Sequence, residues 1–166
     1  MDGHTDWVNQ IQWIPSIRSL VSCSNDTTIK IWKLYPFHEI LDGGKQGPQT
    51  ILPYSTLNDH TDYVRSLVYS SESFRLFSAS DDGKICEWDL NNHKILQHYD
   101  NEISAQQRQP LLQIKNYFNN NYENQYTYSS PVESSPSCPT ALACNNSGNL
   151  LFTALTDDTL RLIDTR

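Results

Sequence analysis

The sequence contains little positive charge and no long apolar run. Its 166 residues carry 12 Lys and Arg against 19 Asp and Glu, a formal net charge of −7. Because Lys and Arg supply most of the affinity for a phosphate backbone, this balance argues against direct binding of nucleic acid. No signal-peptide pattern and no stretch of membrane-spanning length is present, so we expect no membrane association and a location in the cytoplasm or the nucleus.

Paired cysteines and metal-ligand spacings are also absent. None of the four cysteines belongs to a CxxC pair. Two of them, Cys23 and Cys86, fall within predicted strands, where a buried reduced thiol is expected. His38, His93 and His98 have no partners at the spacing of a zinc site. The sequence therefore predicts no metal site.

A complete phosphate-binding loop is lacking as well. Gly43-Gly44-Lys45 matches part of such a loop, but the leading glycine and the trailing Ser or Thr are missing. The fragment therefore favours a flexible connection over a nucleotide site. We expect no cofactor and no small-molecule substrate.

What the chain does contain is a repeated pattern of polar and aromatic residues. The segment GHTDWVNQIQW is echoed by DHTDYVRSLVY, and LVSCSNDTTIKIW by LFSASDDGKICEW. Each copy holds a histidine, a serine, an aspartate and a tryptophan at the same spacing. These are His4, Ser22, Asp26 and Trp32 in the first copy and His60, Ser78, Asp82 and Trp88 in the second. Such a pattern is typical of stacked repeats, each of them one supersecondary unit.

A third copy, PTALACNNSGNLLFTALTDDTLRLID, is degenerate. It keeps the hydrophobic alternation and the turn, with Thr153 in the place of the serine and Asp157 in the place of the aspartate. Ile163 replaces the tryptophan, and Ser135 stands where the histidine is expected. The third repeat therefore loses two of its four landmarks.

Each copy alternates apolar and polar residues in short segments separated by turn residues, which is typical of antiparallel strands. In the first copy we predict strands around residues 8–13, 20–22, 29–32 and 50–57, with an insertion at about 34–49. A segment rich in Asn, Gln and Ser occupies 101–137. We predict that this segment is disordered, because its composition cannot bury enough apolar surface to offset the entropy of ordering it.

The recurring landmarks and the strand pattern together resemble the WD40 repeat, a four-stranded blade of a β-propeller. The resemblance implies an all-β fold with two complete blades in residues 1–100 and a degenerate third blade in 138–166. We label the strands of a blade a to d in chain order, and the third blade is expected to stop after strand c. Because stacked blades bury their faces against neighbours, we expect a segment of a longer propeller.

The histidine, serine and aspartate of each copy could also be taken for a catalytic triad. A triad requires one exposed and activated nucleophile. A set that recurs at the same position of each repeat is instead expected of a hydrogen-bonded network that ties strand a to the turn between strands b and c. We therefore expect no catalytic residues and no enzyme activity.

The WD40 resemblance also implies which side chains meet a partner. In such propellers the residues shortly after the histidine and just before the turn aspartate point into one face. In this sequence they are Trp7, Asn9, Asn25, Tyr63, Arg65 and Asp81. Trp, Tyr and Arg dominate the energetics of many interfaces, which favours the same assignment. The alternative is that Trp7 and Tyr63 only cap the blade edges against solvent.

The segments DWVN, SCSNDTTIKIW and DYVRSL carry a narrower resemblance. They are similar to the N-terminal blades of WD-repeat proteins that bind and activate ubiquitin-specific proteases, the group of WD repeat-containing protein forty-eight. The resemblance implies a non-enzymatic scaffold that docks such a protease and can bind ubiquitin. The alternative is a generic WD40 scaffold in an RNA-processing or chromatin complex.

Overall fold

A computed structural model describes residues 3–33, 52–100 and 137–166. The predicted insertion at 34–49, the segment 101–136, His38 and Ser135 lie outside the described residues, and so does Gly43-Gly44-Lys45. In the described ranges the regular elements are eleven strands and one 3-10 turn. No helix there is long and apolar enough to cross a bilayer.

The first repeat forms an antiparallel sheet whose strands neighbour one another in chain order. A 3-10 turn at Pro15–Ile17 joins the first two strands. The last strand pairs with the third, so the chain returns to the same sheet after the insertion. The strands are β1 Val8–Ile14, β2 Ser19–Ser24, β3 Ile29–Lys33 and β4 Ser55–Leu57.

The second repeat forms a four-stranded antiparallel sheet in the same order, and the third forms a three-stranded one. The second sheet contains β5 Val64–Ser70, β6 Arg75–Ser80, β7 Lys84–Asp89 and β8 Lys94–Asp100. The third contains β9 Pro139–Cys144, β10 Leu150–Leu155 and β11 Leu160–Asp164. The predicted all-β fold, two four-stranded blades and a three-stranded third blade, is confirmed.

The turn between strands b and c has one backbone geometry in all three blades. The residue directly after the turn aspartate is left-handed each time, with φ of 69° at Thr27, 83° at Gly83 and 61° at Asp158. Glycine adopts this conformation without steric penalty, whereas a side chain is strained by it. The aspartate is therefore held at the same place relative to strands b and c in every blade.

The apolar core lies between the blades. Strand β6 shows why, because its alternate side chains point to opposite faces of the sheet. Leu76 packs in a cluster with β1, β2 and β3, while the next residue, Phe77, packs in a second cluster with Leu151 of β10. Both side chains are fully buried. The middle blade is thus apolar on both faces, and the strands a of the three blades lie nearest one another.

Candidate functional site

Four side chains of the second blade form a continuous hydrogen-bonded chain. His60, in the connection before β5, donates from Nδ1 to Asp82 Oδ2 at 2.8 Å. Ser78 on β6 donates to His60 Nε2 at 2.8 Å, and Trp88 on β7 donates from Nε1 to Ser78 Oγ at 2.8 Å. With the imidazole hydrogen on Nδ1, each of these groups has a partner. The network joins the entry to β5, the b–c turn and the two central strands.

The first blade contains the same network. His4 donates from Nδ1 to Asp26 Oδ2 at 2.8 Å, and Ser22 donates to His4 Nε2 at 2.7 Å. Trp32 donates from Nε1 to Ser22 Oγ at 2.8 Å. The amide of Thr5 adds a bond to the same Asp26 oxygen at 3.0 Å. The structure therefore brings together both predicted sets of four.

The two turn aspartates are held in their charged form. Burial alone would raise the pKa of Asp26, but hydrogen bonds from Thr28, His4 and the Thr5 amide outweigh it and lower the pKa from 3.8 to about 2. Burial likewise opposes ionisation of Asp82, and hydrogen bonds from His60 and from the amides of Lys84 and Thr61 outweigh it, so its pKa also falls to about 2. Both carboxylates accept hydrogen bonds fully at neutral pH.

These sets have the connectivity of a Ser-His-Asp triad, but their hydroxyls have little exposure and are already hydrogen-bonded. Ser78 is fully buried and Ser22 is nearly so. Each hydroxyl also accepts the indole hydrogen of its tryptophan while it donates to the imidazole. A nucleophile must be reached by its substrate. The geometry is therefore that of a structural network, present twice.

The third blade retains only the turn part of this arrangement. Asp157 accepts from the amide of Thr159 at 3.1 Å and from its hydroxyl at 2.5 Å. Thr153 is buried, and its hydroxyl donates to the Ala154 carbonyl at 3.4 Å. No hydrogen bond joins Thr153 to Asp157 in the described part of the chain. Ile163, in the tryptophan position, packs against the second apolar cluster.

A β-bulge recurs at the start of strand a in all three blades. The register of β1 passes from Val8 to Gln10, which leaves Asn9 without a partner residue. The register of β5 skips Arg65 in the same way, and that of β9 skips Thr140. A bulge interrupts the ladder and redirects the side chain of the extra residue. Each blade thus has one bulged residue, without a ladder partner, near its b–c turn.

Two of these bulged residues link the predicted contact residues across the boundary between blades. Asn9 donates from Nδ2 to Asn25 Oδ1 and to the Val64 carbonyl, both at 2.8 Å. Arg65 donates to Asp81 Oδ2 from Nε at 2.8 Å and from Nη2 at 2.5 Å. Its Nη1 lies 3.5 Å from Asn25 Oδ1. The four polar side chains therefore form one connected group.

Two aromatic residues complete this surface. Trp7 is 79% exposed and Tyr63 is 40% exposed. The guanidinium of Arg65 lies 5.0 Å from the centre of the Tyr63 ring. The Trp7 carbonyl accepts from the Asn25 amide at 2.9 Å, as the Tyr63 carbonyl does from the Asp81 amide at 3.0 Å. We call this surface the bulge face, and its residues are Trp7, Asn9, Asn25, Tyr63, Arg65 and Asp81.

Comparison with known families accounts for the repeated network. Residues 1–33 and 52–89 match the WD40 family model, described as WD domain, G-beta repeat. Each matched range contains the complete four-residue network of its blade. These two ranges are thus similar to WD40 repeats. WD40 domains are typically non-enzymatic scaffolds that bind proteins, so the repeats indicate a protein-interaction scaffold.

The third blade extends the bulge face by residues that sequence reasoning missed. At the same spacing from the turn aspartate they are Cys138, Thr140 and Thr156. The amide of Thr156 donates to the Cys138 carbonyl at 3.0 Å, as in the other two blades. Cys138 Sγ lies 3.1 Å from the Asp81 carbonyl, which joins this blade to the bulge face. Spacing from Asp157 is the signal that would have found them.

A cavity of about 320 Å³ lies on the first blade. Its lining includes His4, Ser22, Val8, Ile11, Leu20 and Trp32. The matching side chains of the second WD40 blade, among them Val64, Leu67 and Trp88, are buried against the first blade. The cavity therefore has the make-up of a surface on which one blade packs against another.

Proposed function

We propose that this protein is a non-enzymatic adaptor that docks a ubiquitin-specific protease through the bulge face and activates it, with ubiquitin as a further ligand. Two observations support the proposal. The sequence resembles the N-terminal blades of proteins with that role, and the WD40 repeats present an ordered surface of the chemistry that protein partners bind. The proposed place of action is the cytoplasm or the nucleus.

The observation that carries the proposal is the arrangement of exposed aromatic residues around fixed polar ones. A buried Trp or Tyr contributes 150–250 Å² of contact area, and about two χ angles are immobilised in doing so. Trp7 and Tyr63 are both available for such burial. Arg65 is already held by Asp81, so less side-chain entropy is lost when a partner meets it.

The experiment is a binding measurement between the full-length protein and a ubiquitin-specific protease captured with it. Tyr63→Ala and Arg65→Ala should each weaken the complex by about 1–2 kcal/mol, roughly 5- to 30-fold, with thermal unfolding nearly unchanged. Phe74→Ala is the matched control. Phe74 is 52% exposed and lies at the opposite end of β5 from Tyr63, so its removal should leave affinity unchanged.

A second readout separates docking from activation. The hydrolysis of a fluorogenic ubiquitin substrate by the protease should rise on addition of the wild-type protein, and the two bulge-face variants should need more protein for the same rise. Equal loss of binding in Phe74→Ala would contradict the assignment of the face. Capture of an RNA-processing or chromatin complex without any such protease would contradict the proposed protease partner. It would favour the alternative, a generic WD40 scaffold in such a complex.

A further inference from the structure

Three side chains with metal-ligating atoms converge at the outer edge of the second blade. His98 on β8 lies with Nδ1 3.4 Å from Cys86 Sγ on β7 and with Nε2 3.6 Å from Asp59 Oδ2. The sulfur and that carboxylate oxygen are 3.9 Å apart. Cys86 is buried, whereas Asp59 and His98 are exposed. A ligand could therefore enter from solvent and reach a buried sulfur.

The repeat provides an internal comparison for the position of Cys86, because the other two blades show which side chains the fold accepts there. Cys86 is the cross-strand partner of Ser78, and the residues in that place are Lys30 opposite Ser22 and Arg161 opposite Thr153. Both of those residues carry a positive charge, and Cys86 does not. The fold thus tolerates a cation at this position, and only the second blade lacks a cationic side chain there.

The neighbours differ as well. In the first blade, Gly3 stands where the second has Asp59, since each directly precedes the network histidine. Thr56, the cross-strand partner of Lys30, stands where the second has His98, the partner of Cys86. Three positions of one blade therefore carry a carboxylate, a thiol and an imidazole together, although the same fold forms without any of them.

We propose that Asp59, Cys86 and His98 bind a divalent cation that prefers sulfur and nitrogen ligands, Zn²⁺ above all. Ligands of a tetrahedral Zn²⁺, at about 2.0–2.3 Å from the metal, lie about 3.3–3.7 Å from one another. With one ring nitrogen of His98 as ligand, the three ligand atoms lie within 4.8 Å of one another, and rotation of the exposed Asp59 and His98 side chains would bring them to that separation. Thiolate and imidazole favour Zn²⁺ over Mg²⁺ or Ca²⁺, which bind oxygen.

Binding would proceed by simple ligand exchange. The Cys86 thiol releases its proton to solvent, and its sulfur, one ring nitrogen of His98 and one oxygen of Asp59 each replace bound water of the hydrated ion. His60 Nδ1 lies 3.8 Å from the same sulfur but already donates to Asp82, so it remains with the structural network. Water or a partner's side chain would take the fourth position.

The test uses the metal-free full-length protein, with Zn²⁺ measured by calorimetry and Co²⁺ by absorption. We expect one ion per chain at this site and a near-ultraviolet band from thiolate bonded to Co²⁺. His98→Thr and Asp59→Gly give the second blade the residues of the first. Each should fold, as judged by circular dichroism and melting, and weaken Zn²⁺ binding by at least about tenfold.

Two variants outside the cluster serve as matched controls. His93→Asn removes a half-buried imidazole whose ring lies against Tyr54, and Cys144→Ser removes another free thiol. Both should bind Zn²⁺ like the wild type. The proposal is overturned if the wild type binds no Zn²⁺ at micromolar concentration, if Co²⁺ gives no thiolate band, or if His98→Thr and Asp59→Gly bind as tightly as the wild type.

Discussion

Replacing Asp82 with alanine would remove the central acceptor of the second-blade network. Its carboxylate accepts from His60 Nδ1 at 2.8 Å and from the amides of Thr61 and Lys84 at 3.0 and 2.9 Å. Alanine leaves all three donors without that partner. The side chain of His60 is only 1% exposed, so its Nδ1 hydrogen is shielded from bulk water.

The magnitude follows from which donors are buried. A buried donor left without an acceptor costs about 1–3 kcal/mol. The amides of Thr61 and Lys84 lie at connections that water can reach, so the loss of their hydrogen bonds to Asp82 adds less. We therefore expect Asp82→Ala to lower the free energy of unfolding by about 1–3 kcal/mol, and Asp26→Ala to do the same in the first blade.

Urea denaturation followed by tryptophan fluorescence measures this loss. The midpoint should fall while the slope stays unchanged, which indicates an effect on stability alone. Glu72→Ala, an exposed acidic residue in the turn between β5 and β6, is the control and should stay within about 0.5 kcal/mol of the wild type. A loss of some enzymatic activity with an unchanged melting curve would refute the structural role of Asp82.

Two further predictions concern pH and glycine. Asp26 and Asp82 have pKa values of about 2 in the folded protein against 3.8 ordinarily, so their stabilisation is complete above about pH 4 and is lost as the pH falls through 2. The free energy of unfolding from urea denaturation, measured against pH, should fall by roughly 2 kcal/mol for each group. A variant with asparagine at both positions should show a flatter dependence on pH. Gly148→Ala should destabilise the protein more than Gly83→Ala, as thermal unfolding would show. Both glycines have positive φ, but a Cβ at Gly148 would lie 2.7 Å from Ser73 Oγ, whereas one at Gly83 meets nothing within 4 Å; equal losses would contradict this reasoning.

The blades and their networks were predictable because identity and spacing repeat. A histidine, serine, aspartate and tryptophan at fixed intervals define where strands a, b and c must lie, and alternation of apolar residues defines their faces. The same logic extended to the third blade, where Asp157 still marks the turn without its histidine or tryptophan. Strand d of the first blade was less well defined, since β4 at Ser55–Leu57 is shorter than the predicted 50–57.

The bulges and the Asp59–Cys86–His98 cluster could not be predicted from the sequence. A bulge is a shift in pairing between two strands, and no residue type at Asn9 or Arg65 marks it. The cluster draws one side chain from a loop and one from each of two strands. Cross-strand register brings Cys86 opposite His98, and no recognised metal-binding spacing connects them along the chain.

The bulge at the start of strand a lets each blade carry a different side chain at one backbone position. Asn9, Arg65 and Thr140 occupy one backbone position, yet they offer an amide, a cation and a hydroxyl. Because none of the three has a ladder partner, a change of side chain there leaves the pairing of the strands intact. Duplicated repeats could therefore diverge in partner choice one residue at a time, while the buried histidine network remained under selection for stability.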